Sequence, residues 1–158
     1  MHLKQTPFPE FVTLVALMSA LVALAIDAIL PALAVIGADL QVKDPNDAQL
    51  VVAVLFIGMA VGPLIFGPLS DTIGRRNSIF LGMSLFIVAS VVGLFAQSFE
   101  VMLIARLFQG IGASGPRIVS MAMVRDRFEG EEMARVLSFV PAIFIVVPAI
   151  APSIGQAV

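Results

Sequence analysis

The chain has 158 residues, of which 59% are hydrophobic and only 13% charged, with a net charge of −2, one histidine and no cysteine. A soluble domain would carry about 25% charge, so this composition belongs to a protein in lipid. Disulfides and cysteine metal sites are excluded, His2 alone cannot build a histidine metal site or catalytic triad, and no basic patch marks a nucleic-acid partner.

Five apolar stretches reach the length of about 20 residues that a membrane-crossing helix needs. They run over Phe11–Ala34, Ala48–Pro68, Ser78–Ala96, Val101–Met123 and Val136–Val158. All five are expected to be helices, because an open sheet cannot satisfy its backbone in hydrocarbon. The fold class is therefore an all-α membrane protein of about five transmembrane helices.

Span 1 has the outline of a signal peptide in Lys4 and the small residues Ala32-Leu33-Ala34. A signal core is about 7–15 residues, however, and this run is longer and carries Asp27 and Pro31 near its end. It reads better as a retained span. Asp27 lies about 10 Å inside the outer end, at 1.5 Å per residue. Span 2 carries Gly58 and Gly62, a small-residue face of the kind that lets helix backbones approach closely. Spans 2 and 3 are joined by a glycine-bounded, doubly basic turn over Gly67–Asn77, containing Asp71, Gly74, Arg75 and Arg76.

Span 4 holds two arginines, Arg106 and Arg117, and an intramembrane charge is by default a functional hypothesis. Arg106 lies about 8 Å from the outer end, at a depth similar to that of Asp27, and Arg117 about 16 Å further on. At about 100° per residue, Arg106, Gln109, Gly110, Ala113, Arg117 and Ser120 fall on one face, expected to line protein or water. Structural charge pairing is the plainer alternative. Span 5 carries Pro141, Pro148 and Pro152 followed by Gly155, so it is expected to be kinked.

Lys4, Arg75, Arg76, Arg125, Arg127 and Arg135 collect on one side of this arrangement, and only Lys43 on the other, among Asp39, Asp44, Asp47 and Glu100. Positive residues stay inside, which predicts a cytoplasmic amino terminus, Gly67–Asn77 turn and Val124–Arg135 loop. No nucleophile–base pair or metal-ligand spacing is visible, so no catalytic residue, metal or enzyme activity is expected.

The turn Gly67-Pro68-Leu69-Ser70-Asp71-Thr72-Ile73-Gly74-Arg75-Arg76 resembles the signature loop between spans 2 and 3 of the major facilitator superfamily. Ala25-Ile26-Asp27-Ala28-Ile29-Leu30-Pro31-Ala32-Leu33 and Arg106-Leu107-Phe108-Gln109-Gly110-Ile111-Gly112-Ala113 are similar to patterns of its bacterial drug:proton antiporters. Val124-Arg125-Asp126-Arg127-Phe128, Ala134-Arg135-Val136-Leu137-Ser138 and Pro148-Ala149-Ile150-Ala151-Pro152 resemble the bicyclomycin-resistance (Bcr/CflA) branch. Members of that branch often have tyrosine where this chain has Ile29.

The resemblance implies an incomplete amino-terminal six-helix half of a multidrug exporter in the bacterial inner membrane, driven by the proton-motive force without a cofactor. It implies proton or substrate coupling at Asp27, Arg106, Gln109 and Arg117. A conformational latch is implied at Gly67, Asp71, Gly74, Arg75 and Arg76, and an antiporter-type kinked helix at Pro141, Pro148, Pro152 and Gly155. The implied partners are small apolar substrates, protons, the bilayer, and a missing carboxy-terminal half or an oligomer partner. Alternatives are an importer of a polar metabolite, a non-transporting interaction subunit, and a self-assembling fragment.

The expectation of a larger parent protein is checked by the intact mass of the native product. A mass more than twice that of this chain is expected; a mass equal to it would require function from oligomers or a partner.

Overall fold

The computed structural model describes residues 29–42, 44 and 46–131, together with Glu10, Thr13, Leu14, Leu17, Met18, Ala25, Ile26, Met133, Ala134 and Ser138. Among these, the regular structure is helical. A 3-10 turn at Leu30–Ala32 leads into a short helix α1 (Leu33–Asp39), and a second 3-10 turn at Asp47–Gln49 leads into α2 (Leu50–Ile73). Two long helices follow, α3 (Arg75–Leu94) and α4 (Phe99–Arg127).

Helices α2, α3 and α4 lie over the expected spans 2, 3 and 4, and helix runs past the apolar stretches of spans 1, 2 and 4. Helix continues from Ala34 to Asp39, from Pro68 to Ile73, and from Met123 to Arg127. The physical reason is that hydropathy marks where lipid begins and ends, whereas a helix continues into the polar interface as long as its backbone bonds close. Two consequences correct the sequence reading. Gly67, Ser70 and Asp71 lie in α2 rather than in a turn, and of the expected Val124–Arg135 loop Val124–Arg127 belong to α4 while Gly130, Glu131, Met133 and Ala134 are helical as well. Of the expected span 5 only Ser138 is described; Pro141, Pro148, Pro152 and Gly155 lie outside the described residues, as does Asp27 of span 1.

The break between α2 and α3 is one residue long. Gly74 adopts φ 88°, ψ 155°, a conformation open to glycine and strained for any residue with a Cβ. At the opposite end, α4 starts at an extended Ser98, whose hydroxyl accepts a hydrogen bond from Val101 N at 3.4 Å. Glu100 in that first turn complements the positive end of the helix dipole.

α4 is the central element: it packs along both α2 and α3, which touch each other little. Glycine permits both contacts. A Cβ at Gly58 of α2 would collide with Leu107 O of α4, and one at Gly110 would collide with Leu55 O of α2. Further along the same seam, a Cβ at Gly62 would overlap Ser114 Oγ. On the other side, a Cβ at Gly112 would lie 2.6 Å from Phe86 N of α3, and one at Gly82 would lie 2.9 Å from Pro116 Cδ. Gly110 and Gly112 are two residues apart, about 200° around the helix, so one face meets each neighbour. Pro116 cannot donate to Gly112 O within α4. That carbonyl faces α3 instead, 3.0 Å from where a Gly82 Cβ would stand, where a Cα–H contact can partly compensate it.

The outward faces of α2 and α3 are apolar and exposed, including Phe56, Ile57, Leu64, Phe80, Ile87, Val88 and Leu94. The segments Asp47–Ile73 and Arg75–Leu94 are long and apolar enough to cross a membrane. α4, about 43 Å long at 1.5 Å per residue, has the length but a more polar sequence. It tolerates this because Gly112, Ala113, Ser114, Gly115, Pro116, Val119 and Ser120 are all buried against protein.

Gly58→Ala is expected to cost about 1–3 kcal/mol, because the collision is with backbone that cannot rotate away. Gly93→Ala, whose Cβ would meet Ala105 Cβ at an ordinary 3.6 Å, is expected to be neutral or slightly stabilising. Thermal unfolding of the two variants in detergent checks the difference.

Candidate functional site

Among the described residues, two clusters of polar side chains are tied together by hydrogen bonds across helices. The first is the wall of a cavity. Arg106 Nη1 donates to Gln109 Oε1 at 2.7 Å, one turn along α4. Gln109 Nε2 donates to Ser90 Oγ of α3 at 2.8 Å, and Ser90 Oγ donates to Phe86 O at 2.7 Å. The chain of bonds therefore runs from a cation to a backbone carbonyl, with each group polarising the next. Gln109 is 7% exposed, so leaving its amide unpaired would carry the desolvation cost of a buried polar group.

This chain of bonds borders a cavity of about 380 Å³ between the end of span 1, α3 and α4. Ala25, Ile29, Ala32 and Ile36 form one side, Ala89, Ser90, Gly93 and Leu94 a second, and Met102, Ala105, Arg106 and Gln109 the third. The lining is apolar except where Ser90, Gln109 and Arg106 reach it. A volume of this size with a few convergent polar groups suits a small molecule. Ile29 and Met102 of this lining also form a buried apolar cluster with Val51.

The second place is the end of the bundle marked by Gly74. Arg75 Nη1 bonds Asp71 Oδ1 at 3.0 Å and donates to Ser70 Oγ at 2.6 Å, while Arg75 Nε donates to Asp126 Oδ2 at 3.2 Å. Ser70 Oγ in turn donates to Gly67 O at 2.9 Å. One guanidinium at the start of α3 thus holds the last turns of both α2 and α4. The planar fork of arginine makes this possible; an ammonium is a single point charge. Arg76 points elsewhere, with its guanidinium 5.6 Å from the centre of the Phe80 ring. Gly67 would meet nothing within 4 Å if it carried a Cβ, so its role here is confined to offering its carbonyl to Ser70.

The structure divides the expected polar face of span 4. Arg106 and Gln109 belong together, but Gly110 is consumed by the contact with α2. Ser120 donates to Met18 Sδ of span 1 at 3.2 Å. Arg117 is exposed and makes no ion pair with another described residue. Sequence reasoning did not single out Ser90, Ser70 and Asp126. Ser90 had left a signal, a hydroxyl within the apolar run Val88-Ala89-Ser90-Val91-Val92. Asp126 had too, as an acid between Arg125 and Arg127.

The sequence model of the Major Facilitator Superfamily matches residues 15–158. The chain belongs to that superfamily of membrane transporters. Within it, the chain is similar to multidrug resistance protein MdtL of Vibrio parahaemolyticus, with 37% identity over 132 residues, covering 84% of this chain and 33% of that protein. It is 32% identical over 126 residues to multidrug resistance protein D of Escherichia coli, covering 80% of this chain and 32% of that protein. A bicyclomycin resistance protein homolog of Haemophilus influenzae is 30% identical over 145 residues, covering 92% of this chain and 36% of its own. The chain spans about a third of the length of these relatives. The resemblance read from the span 1, turn and span 4 motifs is thus borne out at the level of the superfamily and its multidrug-resistance relatives. In this superfamily member, the exposed apolar faces of α2 and α3 are surfaces for lipid or for further helices.

The Arg75 contacts are solvent-accessible, with side chains of 32%, 69% and 58% exposure for Arg75, Asp71 and Asp126. Arg75→Gln is therefore expected to destabilise by no more than about 1 kcal/mol, and by less in about 1 M salt, where charges are screened within about 3 Å. Thermal unfolding at low and high salt measures both.

Proposed function

We propose that this chain forms part of a secondary transporter that exports small, largely apolar compounds in exchange for protons. The observation that carries the reading is an apolar cavity bordered by a hydrogen-bonded arginine, in a chain whose relatives are named for multidrug resistance. In this reading the lipid is the bacterial inner membrane, and the excess of arginine at the Gly74 end supports a cytoplasmic side for that end and for the amino terminus. Transporters of this fold bind substrate between two halves related by pseudo-symmetry. The cavity described here would be one wall of that site, completed by a carboxy-terminal half or an oligomer partner.

In this reading Asp27 and Arg106 exchange charge for proton. Deprotonated Asp27 attracts Arg106; protonation removes that attraction and frees the guanidinium, held by Gln109, to respond to substrate. Arg117, deeper along α4, would receive the proton pathway from the cytoplasmic side. Each charge moved across 100 mV contributes about 2.3 kcal/mol, so the proton-motive force supplies the work and no cofactor is required. Asp71, Gly74, Arg75 and Arg76 would act as a latch at the cytoplasmic end, with Arg75 releasing Asp71 or Asp126 as the opposite face opens. The prolines of span 5, Pro141, Pro148 and Pro152, with Gly155, would let that helix bend between the two states.

Asp27→Asn and Arg106→Ala are each expected to lower substrate-driven proton release from membrane vesicles by at least about tenfold, equivalent to about 1.4 kcal/mol of coupling. Full proton release in the Asp27→Asn variant would remove Asp27 from the mechanism.

A further inference from the structure

Ser90 occupies a position in the cavity wall where its hydroxyl bonds both a backbone carbonyl and the Gln109 amide. Its hydroxyl has one proton, and Phe86 O, at 2.7 Å, can only accept. With that proton on Phe86 O, the serine can only accept from Gln109. The Gln109 atom at 2.8 Å must then be the donor Nε2. Turned the other way around, the amide would set Oε1 against an oxygen with no proton to give. With Nε2 held by Ser90, Oε1 is held toward Arg106, which has five donors and no acceptor.

We infer that Ser90 is a positioning residue for the intramembrane arginine: it fixes the direction of the Gln109 amide and so keeps a carbonyl, rather than an amide nitrogen, against Arg106. The role deepens the exporter reading above and rests on it for its functional meaning, although the geometry stands by itself. Without Ser90, the buried Nε2 loses its acceptor, and Gln109 must leave its present rotamer to satisfy it. Arg106 then loses its partner on α4 and becomes free to move within the cavity. A carboxylate in place of the amide would behave differently. Both of its oxygens accept, its charge holds it to Arg106, and it has no Nε2 in need of Ser90.

The test is the rate at which phenylglyoxal, an arginine-specific dicarbonyl, modifies Arg106 in membranes, read by mass spectrometry of the peptide that carries it. Ser90→Ala is expected to speed modification by about tenfold, the factor for one hydrogen bond to a charged group. Ser90→Thr, which keeps a hydroxyl able to bond the carbonyl four residues back, is expected to restore the slow rate. So is the pair Ser90→Ala with Gln109→Glu. An unchanged rate in Ser90→Ala overturns the inference. So does an equal acceleration with Gln109 or Glu at position 109, since that would make Ser90 a packing residue. If Ser90→Ala does not accumulate, recovery of folded protein with slow modification in the double variant supports the inference, and failure of both overturns it. Substrate-driven proton release in the same vesicles judges the exporter reading separately. Faster modification with unchanged proton release keeps the positioning role and takes the coupling role away from Arg106.

Discussion

The close backbone approach of α4 to its two neighbours is the constraint on which the rest depends. Lipid gives helices no hydrophobic reason to associate, so contact must come from tight packing and hydrogen bonds. Gly58 against Gly110 and Gly82 against Gly112 supply the tightness on opposite sides of one helix. Because both seams are fixed by backbone, the rotation of α4 about its own axis is fixed as well. Arg106 and Gln109 reach the cavity as a consequence of that rotation, and Gln109 reaches Ser90 only because α3 lies close enough for a bond of 2.8 Å.

Polar groups in this chain are then handled in two ways. Inside the bundle they are joined into a directed chain that ends on a carbonyl, because an unpaired amide or guanidinium there would be costly. At the Gly74 end they form an exposed cluster around Arg75, where water screens each bond and geometry matters more than strength. The first arrangement holds a charge in place; the second ties three helix ends with contacts weak enough to be exchanged. Ser78 breaks the pattern: its hydroxyl is buried in α3 and has no hydrogen-bond partner among the described residues.

Much of this is legible in the sequence. The helices over spans 2, 3 and 4 followed from hydropathy, and Gly58 and Gly62 announced a packing face, because small residues at helical spacing have few other uses in lipid. Helix ends were less legible, since Ser70, Asp71 and Arg125 to Arg127 are polar but still helical. The expected polar face of span 4 failed in part for a similar reason. A helical wheel records direction but not who stands there, so Gly110 facing α2 and Gln109 facing Ser90 looked like members of one stripe. Partners distant in sequence, such as Arg75 and Asp126, are invisible to any local pattern.

The single residue between α2 and α3 also sets a limit on how this connection can vary in length. Ordinary surface loops absorb insertions because their extra residues bulge into water. Gly74 has no such slack, since helix runs to Ile73 on one side and resumes at Arg75 on the other. A residue added to the start of α3 would turn that helix by about 100° and shift it by about 1.5 Å. Gly82 would leave Pro116, Ser90 would leave Gln109, and Arg75 would leave Asp126, all from one codon. The connection is therefore part of the register of the bundle, as fixed in length as the helices that it joins.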